Sequence, residues 1–305
     1  MRIASLLPSA TEIVCALGAR DELVGRSHEC DFPEGVHGVP VLTSARVGPL
    51  PSSAGIDAAV RDALRDALAI YDIDVERLRA ARPDVVVTQD LCDVCAVSFD
   101  DVRSAVARLS RHDVSIVNLH PMRLDDVWAD VERVGRGIGR AGAGARVAAA
   151  LRERVAAIAR RAAAARERPR VLSIEWIAPV MIGGMWMPEL IELAAGEPLV
   201  TRAGDHAPTL DLDALGRLDP EVVLVKPCGF PLQRTLDEVD ALRQSLPRTW
   251  RARVYVADGN AYFNRPGPRI VESLEILAAC VHPELFEDFA AKHAASFRGA
   301  PFFTR

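Results

Sequence analysis

The sequence predicts an α/β protein made of two similar lobes with one long helix joining them. Three observations carry this. Short β-branched apolar runs alternate with amphipathic segments, as in parallel strands covered on both faces. One helix–proline–strand–cysteine arrangement occurs twice. Between the two copies runs an Ala- and Arg-rich stretch without proline.

In chain order, the clearest strands are Arg2–Leu7, Val85–Thr88, Val114–Asn118, Val171–Glu175, Val222–Val225 and Arg253–Ala257, with a further one at Glu22–Arg26. Ser9 or Thr11 is expected to cap a helix running to about Leu17 and stopped by Gly18. Ser98 with Asp101 fits a capping box that opens a helix to about Ser110. Residues Ala141 to Ala165 form the long stretch. Alanine has the highest helix propensity, so one helix of roughly 37 Å is expected there. Ile270–Cys280 reads as a last amphipathic helix. The expected domains are residues 1–140, a connecting helix at 141–168, and residues 169–305.

The repeat points to function. Arg82–Gln89 is an apolar run that leads into Cys92, Asp93, Val94, Cys95 and Ala96. Asp219–Lys226 is a second such run, leading into Pro227, Cys228, Gly229 and Phe230. Both place thiols at the C-terminal end of a buried strand, where open α/β sheets bind ligands.

Bulk properties narrow the classes. Half of the 305 residues are hydrophobic, enough for one large or two medium domains with real cores. Net charge is −5, no basic block occurs and aromatics are 5%, which argues against a nucleic-acid partner. No apolar run is long enough to span a bilayer. Met1 leads almost directly into a strand with no secretory signal ahead of it, so a cytoplasmic location is expected if Met1 is the native start, and a periplasmic or extracellular one only if an N-terminal signal is missing from this chain. In a reducing compartment the six cysteines are free thiols, metal ligands or catalytic groups. Nucleophile-elbow, phosphate-loop and HisGluXXHis motifs are missing, which removes support for hydrolase, kinase and zinc-protease readings.

Ser5–Glu12, the Arg82–Gln89 run, the long middle helix and the echo at Asp219–Val225, taken in this order, resemble the helical-backbone (class III) substrate-binding proteins of ABC transporters. The chain is most similar to the vitamin B12 (cobalamin)-binding and iron–siderophore group, over essentially its whole length. The resemblance implies two Rossmann-like lobes of the periplasmic-binding-protein type, with the ligand held between them and passed to a permease. It also implies a monomer. Its ligand loops correspond to Pro8–Thr11, Gln89–Cys95, Glu175–Ile177 and Lys226–Phe230. The chain differs from exported members in showing no signal or anchor, and in placing cysteines in loops of both lobes.

The site candidates follow from residue chemistry. Cys92 and Cys95 have the spacing of a thiolate pair for zinc or iron, with a dithiol redox site or two packed thiols as alternatives. Cys30 and Cys228 are the further candidate metal ligands, with His28 as an added one. Four thiolates would suit tetrahedral zinc or an iron–sulfur cluster, or one could ligate the metal of a corrinoid or haem. Glu175 is a polar anchor at a strand end, and Trp176 and Trp186 are candidate flat walls. Asn260, Tyr262 and Arg265 gather polar groups after another strand. Ser9, Thr11 and Gln89 complete the expected ligand contacts. Cys15 and Cys280 read as core residues. The expected function is binding of a corrinoid, another tetrapyrrole or a metal chelate, as the substrate-binding component of an ABC transporter and not as an enzyme. The alternative is a cytoplasmic metalloprotein or redox enzyme built on a Cys-ligated zinc or iron–sulfur centre.

Overall fold

The computed structural model describes residues 1–46, 50–65, 71–90, 99–109 and 113–300. The chain divides into two compact units. The first holds Met1–Leu50, Ala58–Pro121 and Asp125–Leu151; the second holds Pro51–Asp57, Met122–Leu124 and Arg152–Arg305.

The elements of the first part are β1 (Ile3–Ser5), α1 (Pro8–Ala16), β2 (Leu23–Arg26), β3 (Thr43–Ala45), α2 (Ser53–Arg65), β4 (Tyr71–Ile73), α3 (Val75–Ala81), β5 (Val85–Gln89), α4 (Phe99–Ala107), β6 (Ser115–Leu119), α5 (Leu124–Gly137) and α6 (Ala141–Ala162). Four of the strands form a parallel sheet in the order β2-β1-β5-β6. β5 is buried at every position, as its unbroken apolar run requires. One side of the sheet packs on Leu42, Leu78, Val102 and Leu109. β3 and β4 make a separate antiparallel pair.

Helix α1 starts one residue before the expected cap. Pro8 occupies the first turn, where its missing N–H costs nothing, and Leu7 caps without a side-chain bond. Ser9 and Thr11 are therefore inside the helix. Gly18, at φ 73°, follows its end as expected. The capping-box residue Ser98 lies outside the described residues. The long Ala-rich helix is α6, which begins in the first unit and ends in the second. Its Gly144 lies against Gly135 of α5. A Cβ on Gly135 would sit 2.9 Å from the Gly144 Cα, so the pair lets the two backbones approach closely.

The remaining elements are β7 (Arg170–Trp176), β8 (Val180–Ile182), α7 (Met187–Leu193), β9 (Glu197–Pro198), β10 (Thr209–Leu210), α8 (Leu212–Gly216), β11 (Val222–Val225), α9 (Leu232–Asp237), α10 (Val239–Ser245), β12 (Arg253–Ala257), α11 (Ile270–Val281), α12 (Glu287–Lys292) and β13 (Phe297–Ala300). They build a seven-stranded sheet in the order β10-β8-β7-β11-β12-β13, with β9 beside β7. β7, β11 and β12 are parallel neighbours, while β8, β10 and β13 add antiparallel edges. α11 is not amphipathic as expected: every residue except Glu272 is buried, which makes it a central helix of this unit. The short strap at Pro51–Asp57 belongs to this unit. Ser53 donates its N–H and its hydroxyl to the buried Glu238 carboxylate, at 3.0 and 2.6 Å. Among the described residues no helix is long and apolar enough to cross a membrane.

Candidate functional site

The C-terminal ends of β7, β11 and β12 bring one group of polar and aromatic side chains together in the second unit. β7 is buried through Ile174 and then emerges as the half-buried Glu175 and Trp176. β11 is wholly apolar, and the next residue, Lys226, extends its ladder by donating its N–H to the Ile174 carbonyl. The Lys226 side chain is fully buried. A buried ammonium is costly unless it is paired and hydrogen-bonded. Here Nζ donates to Glu175 Oε2 at 2.9 Å and to Asn264 Oδ1 at 3.0 Å.

Asn264 is oriented by its own donors. Its Nδ2 donates to the Lys226 carbonyl at 3.1 Å and the Gly259 carbonyl at 2.9 Å, which turns Oδ1 toward the ammonium. Gly259 is required where the chain after β12 crosses the end of β11, because a Cβ there would lie 2.0 Å from the Pro227 carbonyl oxygen. The Cys228 N–H donates to the Glu175 carbonyl at 3.1 Å, and the Asn260 N–H to the Phe230 carbonyl at 3.0 Å. These bonds tie the three strand-end loops into one framework. Arg265, only 6% exposed, donates to Asn260 Oδ1 at 3.0 Å.

Aromatic groups stand beside this network. Trp176 meets Phe230 edge-on with ring centroids 5.2 Å apart, and the Arg234 guanidinium lies 4.0 Å over the Phe230 ring. The buried Trp176 Nε1 has no hydrogen-bond partner among the described residues. Half-buried Tyr262 lies between the Arg269 guanidinium at 5.6 Å and the His293 ring at 6.1 Å. Glu175, Trp176, Cys228, Asn260, Tyr262 and Arg265 thus share one edge. Trp186 does not join them as an exposed wall. It is 5% exposed and its indole N–H donates to the Phe263 carbonyl at 2.9 Å, so it fills the interior of this unit.

In the first unit, Ser9, Thr11 and Gln89 are all buried near the ends of β1 and β5. Thr11 Oγ1 bonds Ser5 Oγ at 2.8 Å and Cys30 Sγ at 3.0 Å. Ser9 Oγ and Gln89 Oε1 have no partner among the described residues. Cys30 is buried beside Thr11 in this hydroxyl cluster. His28 Nδ1 bonds Thr43 Oγ1 at 2.7 Å and its ring lies 5.2 Å from that of Tyr71. Burial, with Arg26 nearby, lowers the pKa of His28.

Among the described residues no three His, Cys, Asp or Glu side chains converge as a metal site. Cys30 belongs to the first unit and Cys228 to the second. Cys92 and Cys95 lie outside the described residues, and the expected four-thiolate centre lies outside them as well. Cys280 is fully buried as expected. Cys15 is only half-buried, and burial raises its pKa to about 11.

Sequence reasoning placed Lys226 in a ligand loop but missed its part as a buried counter-ion, and missed the Phe230–Arg234 stack. A lysine directly after the four apolar residues of β11 was the available signal. Its partners are 51 and 38 residues away, beyond the reach of local pattern.

Residues 3–252 match the family described as periplasmic binding protein. No curated protein matches the chain. Solved structures do. A periplasmic heme-binding protein from Pseudomonas aeruginosa aligns with TM-score 0.69 and 20% identity, over 92% of each chain. The periplasmic heme-binding protein from Roseiflexus sp. RS-1 in apo form aligns with TM-score 0.67 and 19% identity, over 95% of this chain and 98% of that one. The periplasmic vitamin B12-binding protein of Vibrio cholerae aligns with TM-score 0.61 and 17% identity, over 92% and 96%. At these identities the likeness is one of fold: the two-lobed, helical-backbone α/β architecture of class III binding proteins.

Proposed function

The chain belongs to the periplasmic binding protein family, and from that premise we propose that it is the substrate-binding component of an ABC-type importer for a flat metal macrocycle, haem or corrinoid, or an iron chelate. One observation carries this reading at the level of residues. A carboxylate seated on a buried ammonium (Glu175 on Lys226) stands beside an aromatic pair (Trp176 and Phe230) at the ends of parallel strands. A few fixed polar groups next to an apolar surface suit a ligand with a broad apolar body and a polar rim. Structural neighbours whose names state heme or vitamin B12 binding support the ligand class.

Asn260 and Tyr262 would contact the same ligand from the loop after β12, with the buried Arg265 holding Asn260 in place. Cys228 is the thiol at this edge that could reach a bound metal. In the first unit, Ser9 and Gln89 are the polar groups we assign to ligand, because each keeps a buried oxygen unbonded among the described residues. Thr11 we assign to holding Cys30 in place. The family is one of periplasmic proteins, so we place the chain there in preference to the cytoplasm expected from its opening residues. We take it to act as a monomer with a permease as its partner.

The test is direct titration of the purified chain with haemin, cyanocobalamin and a ferric siderophore, followed by absorbance and calorimetry. Micromolar or tighter binding of one of them, weakened at least about tenfold by Trp176→Ala with Glu175→Ala, is the expected result. No binding of any of the three would refute the reading. Cell fractionation of the native host, with the chain recovered in the cytosol, would refute the placement.

A further inference from the structure

At the second unit's edge the cation and the anion are not equally available to a ligand. The Lys226 side chain is 1% exposed and that of Glu175 is 22% exposed. Nζ is engaged by Glu175 and Asn264, and Asn264 is locked by two backbone carbonyls. The neighbouring cations are each placed by this chain's own groups. Arg265 is buried on Asn260, Arg234 lies over Phe230 and Arg269 over Tyr262. What the β7 end presents to solvent is therefore the Glu175 carboxylate, with Oε2 occupied by Lys226. An ionised carboxylate only accepts hydrogen bonds. It rewards a ligand rim that carries N–H or O–H donors and penalises one that carries further carboxylates.

We propose that Lys226 and Glu175 form a specificity pair: the buried ammonium fixes the carboxylate so that it accepts hydrogen bonds from amide or hydroxyl donors on the ligand rim and disfavours a carboxylate-bearing rim. Lys226 is the positioning residue and Glu175 the contact. This rests on the proposed function and narrows it, favouring amide-rimmed macrocycles over propionate-bearing ones.

The probes are cyanocobalamin, its derivative with one peripheral amide hydrolysed to carboxylate, and haemin with its two propionates. Wild type is expected to prefer the amide form over the carboxylate form by about 10- to 100-fold, the worth of a hydrogen bond to a charged group. Glu175→Gln, which can donate as well as accept, should bring that ratio close to one. Glu175→Asp should keep part of the preference, because an acceptor-only group remains. Lys226→Met should lower the ratio by letting Glu175 wander. If that variant does not fold, the two Glu175 variants decide.

A wild-type chain that binds neither these three probes nor a ferric siderophore overturns the functional reading, and this inference with it; one that binds the siderophore alone overturns the specificity pair only. Haemin bound more tightly than cyanocobalamin, or an amide-to-carboxylate ratio unchanged in Glu175→Gln, overturns the specificity pair and leaves the functional reading standing.

Discussion

Gly259→Ala is the sharpest probe of the strand-end framework. The Gly259 Cα faces the end of β11 so closely that an added Cβ would lie 2.0 Å from the Pro227 oxygen and 2.7 Å from the Lys226 carbonyl. These are backbone atoms, which cannot swing aside as a side chain can. The shortest contact is about 1.4 Å short of the 3.4 Å at which ordinary packing begins, so the loop or the strand end must move. Overpacking of this kind costs about 1–3 kcal/mol. Losing a glycine returns about 0.4–1 kcal/mol through the unfolded chain. The net loss is roughly 1–2 kcal/mol, or a fall in Tm of about 2–8 °C for a unit of this size.

The same displacement acts on the site. Asn264 Oδ1 is 3.0 Å from Lys226 Nζ, and Asn264 is itself anchored on the Gly259 carbonyl. Moving one partner by about 1.4 Å takes that bond beyond useful length. Ligand affinity should therefore fall together with stability. Gly216→Ala, where a Cβ would meet nothing within 4 Å, is the control and should gain about 0.5–1 kcal/mol as a helical alanine. Thermal unfolding and ligand titration of both variants make the assay. A Gly259→Ala chain that melts within a degree of wild type and binds equally well would show that the loop does not cross β11 so closely.

Two buried carboxylates should give opposite pH profiles. Burial pushes Glu275 up, but bonds from His293 and Lys292, each at 2.6 Å, outweigh it and hold its pKa down at about 2. Its stabilisation is complete above about pH 4.5 and is lost as pH falls through 2; Glu275→Gln should remove on the order of 3 kcal/mol of that acid dependence in denaturant melts. Burial raises Asp130 to about 7 despite its bond from Arg133, so the folded chain keeps this proton between pH 3.8 and 7 and loses stability as pH rises across that window. Asp130→Asn should therefore be more stable than wild type at pH 8 by a few kcal/mol, with the gap closing near pH 4, and parallel profiles would refute this. Alkylation of the native chain at neutral pH, read by mass spectrometry, should spare Cys280 and Cys15, whose thiols burial pushes up, until the chain unfolds; labelled native Cys280 would contradict the burial of α11.

What could be read from the residues tracked local pattern. Val222–Val225 and Arg253–Ala257 are found at their expected bounds because continuous β-branched runs mark strands buried on both faces. The antiparallel strands β8, β10 and β13 went unseen, since two to four residues carry too little periodicity. α11 was misread because a helix buried all round has no polar face to betray its surroundings. Trp176 and Trp186 looked alike in sequence. One stands half-buried at a strand end, while the other is buried with its N–H on the Phe263 carbonyl, a partner 77 residues away. Pairings across such separations decide the fate of a side chain, and no local window contains them.

The two strand-end edges are built on different terms. In the second unit the charged and amide groups bond one another, although the Trp176 indole N–H does not: Lys226 to Glu175 and Asn264, Asn264 to the Gly259 and Lys226 carbonyls, Arg265 to Asn260. Such a network is rigid before any ligand arrives, so little ordering cost remains to be met on binding. In the first unit, Ser9 Oγ and Gln89 Oε1 are buried without partners among the described residues, each at a standing cost of about 1–3 kcal/mol. A donor offered to those oxygens would recover that cost. Substitutions at the two edges should then differ in kind. Changing Glu175 or Asn264 breaks a satisfied network and lowers both stability and affinity. Replacing Gln89 by an apolar residue of similar size removes an unmet acceptor, so it should leave stability unchanged or raised while affinity falls.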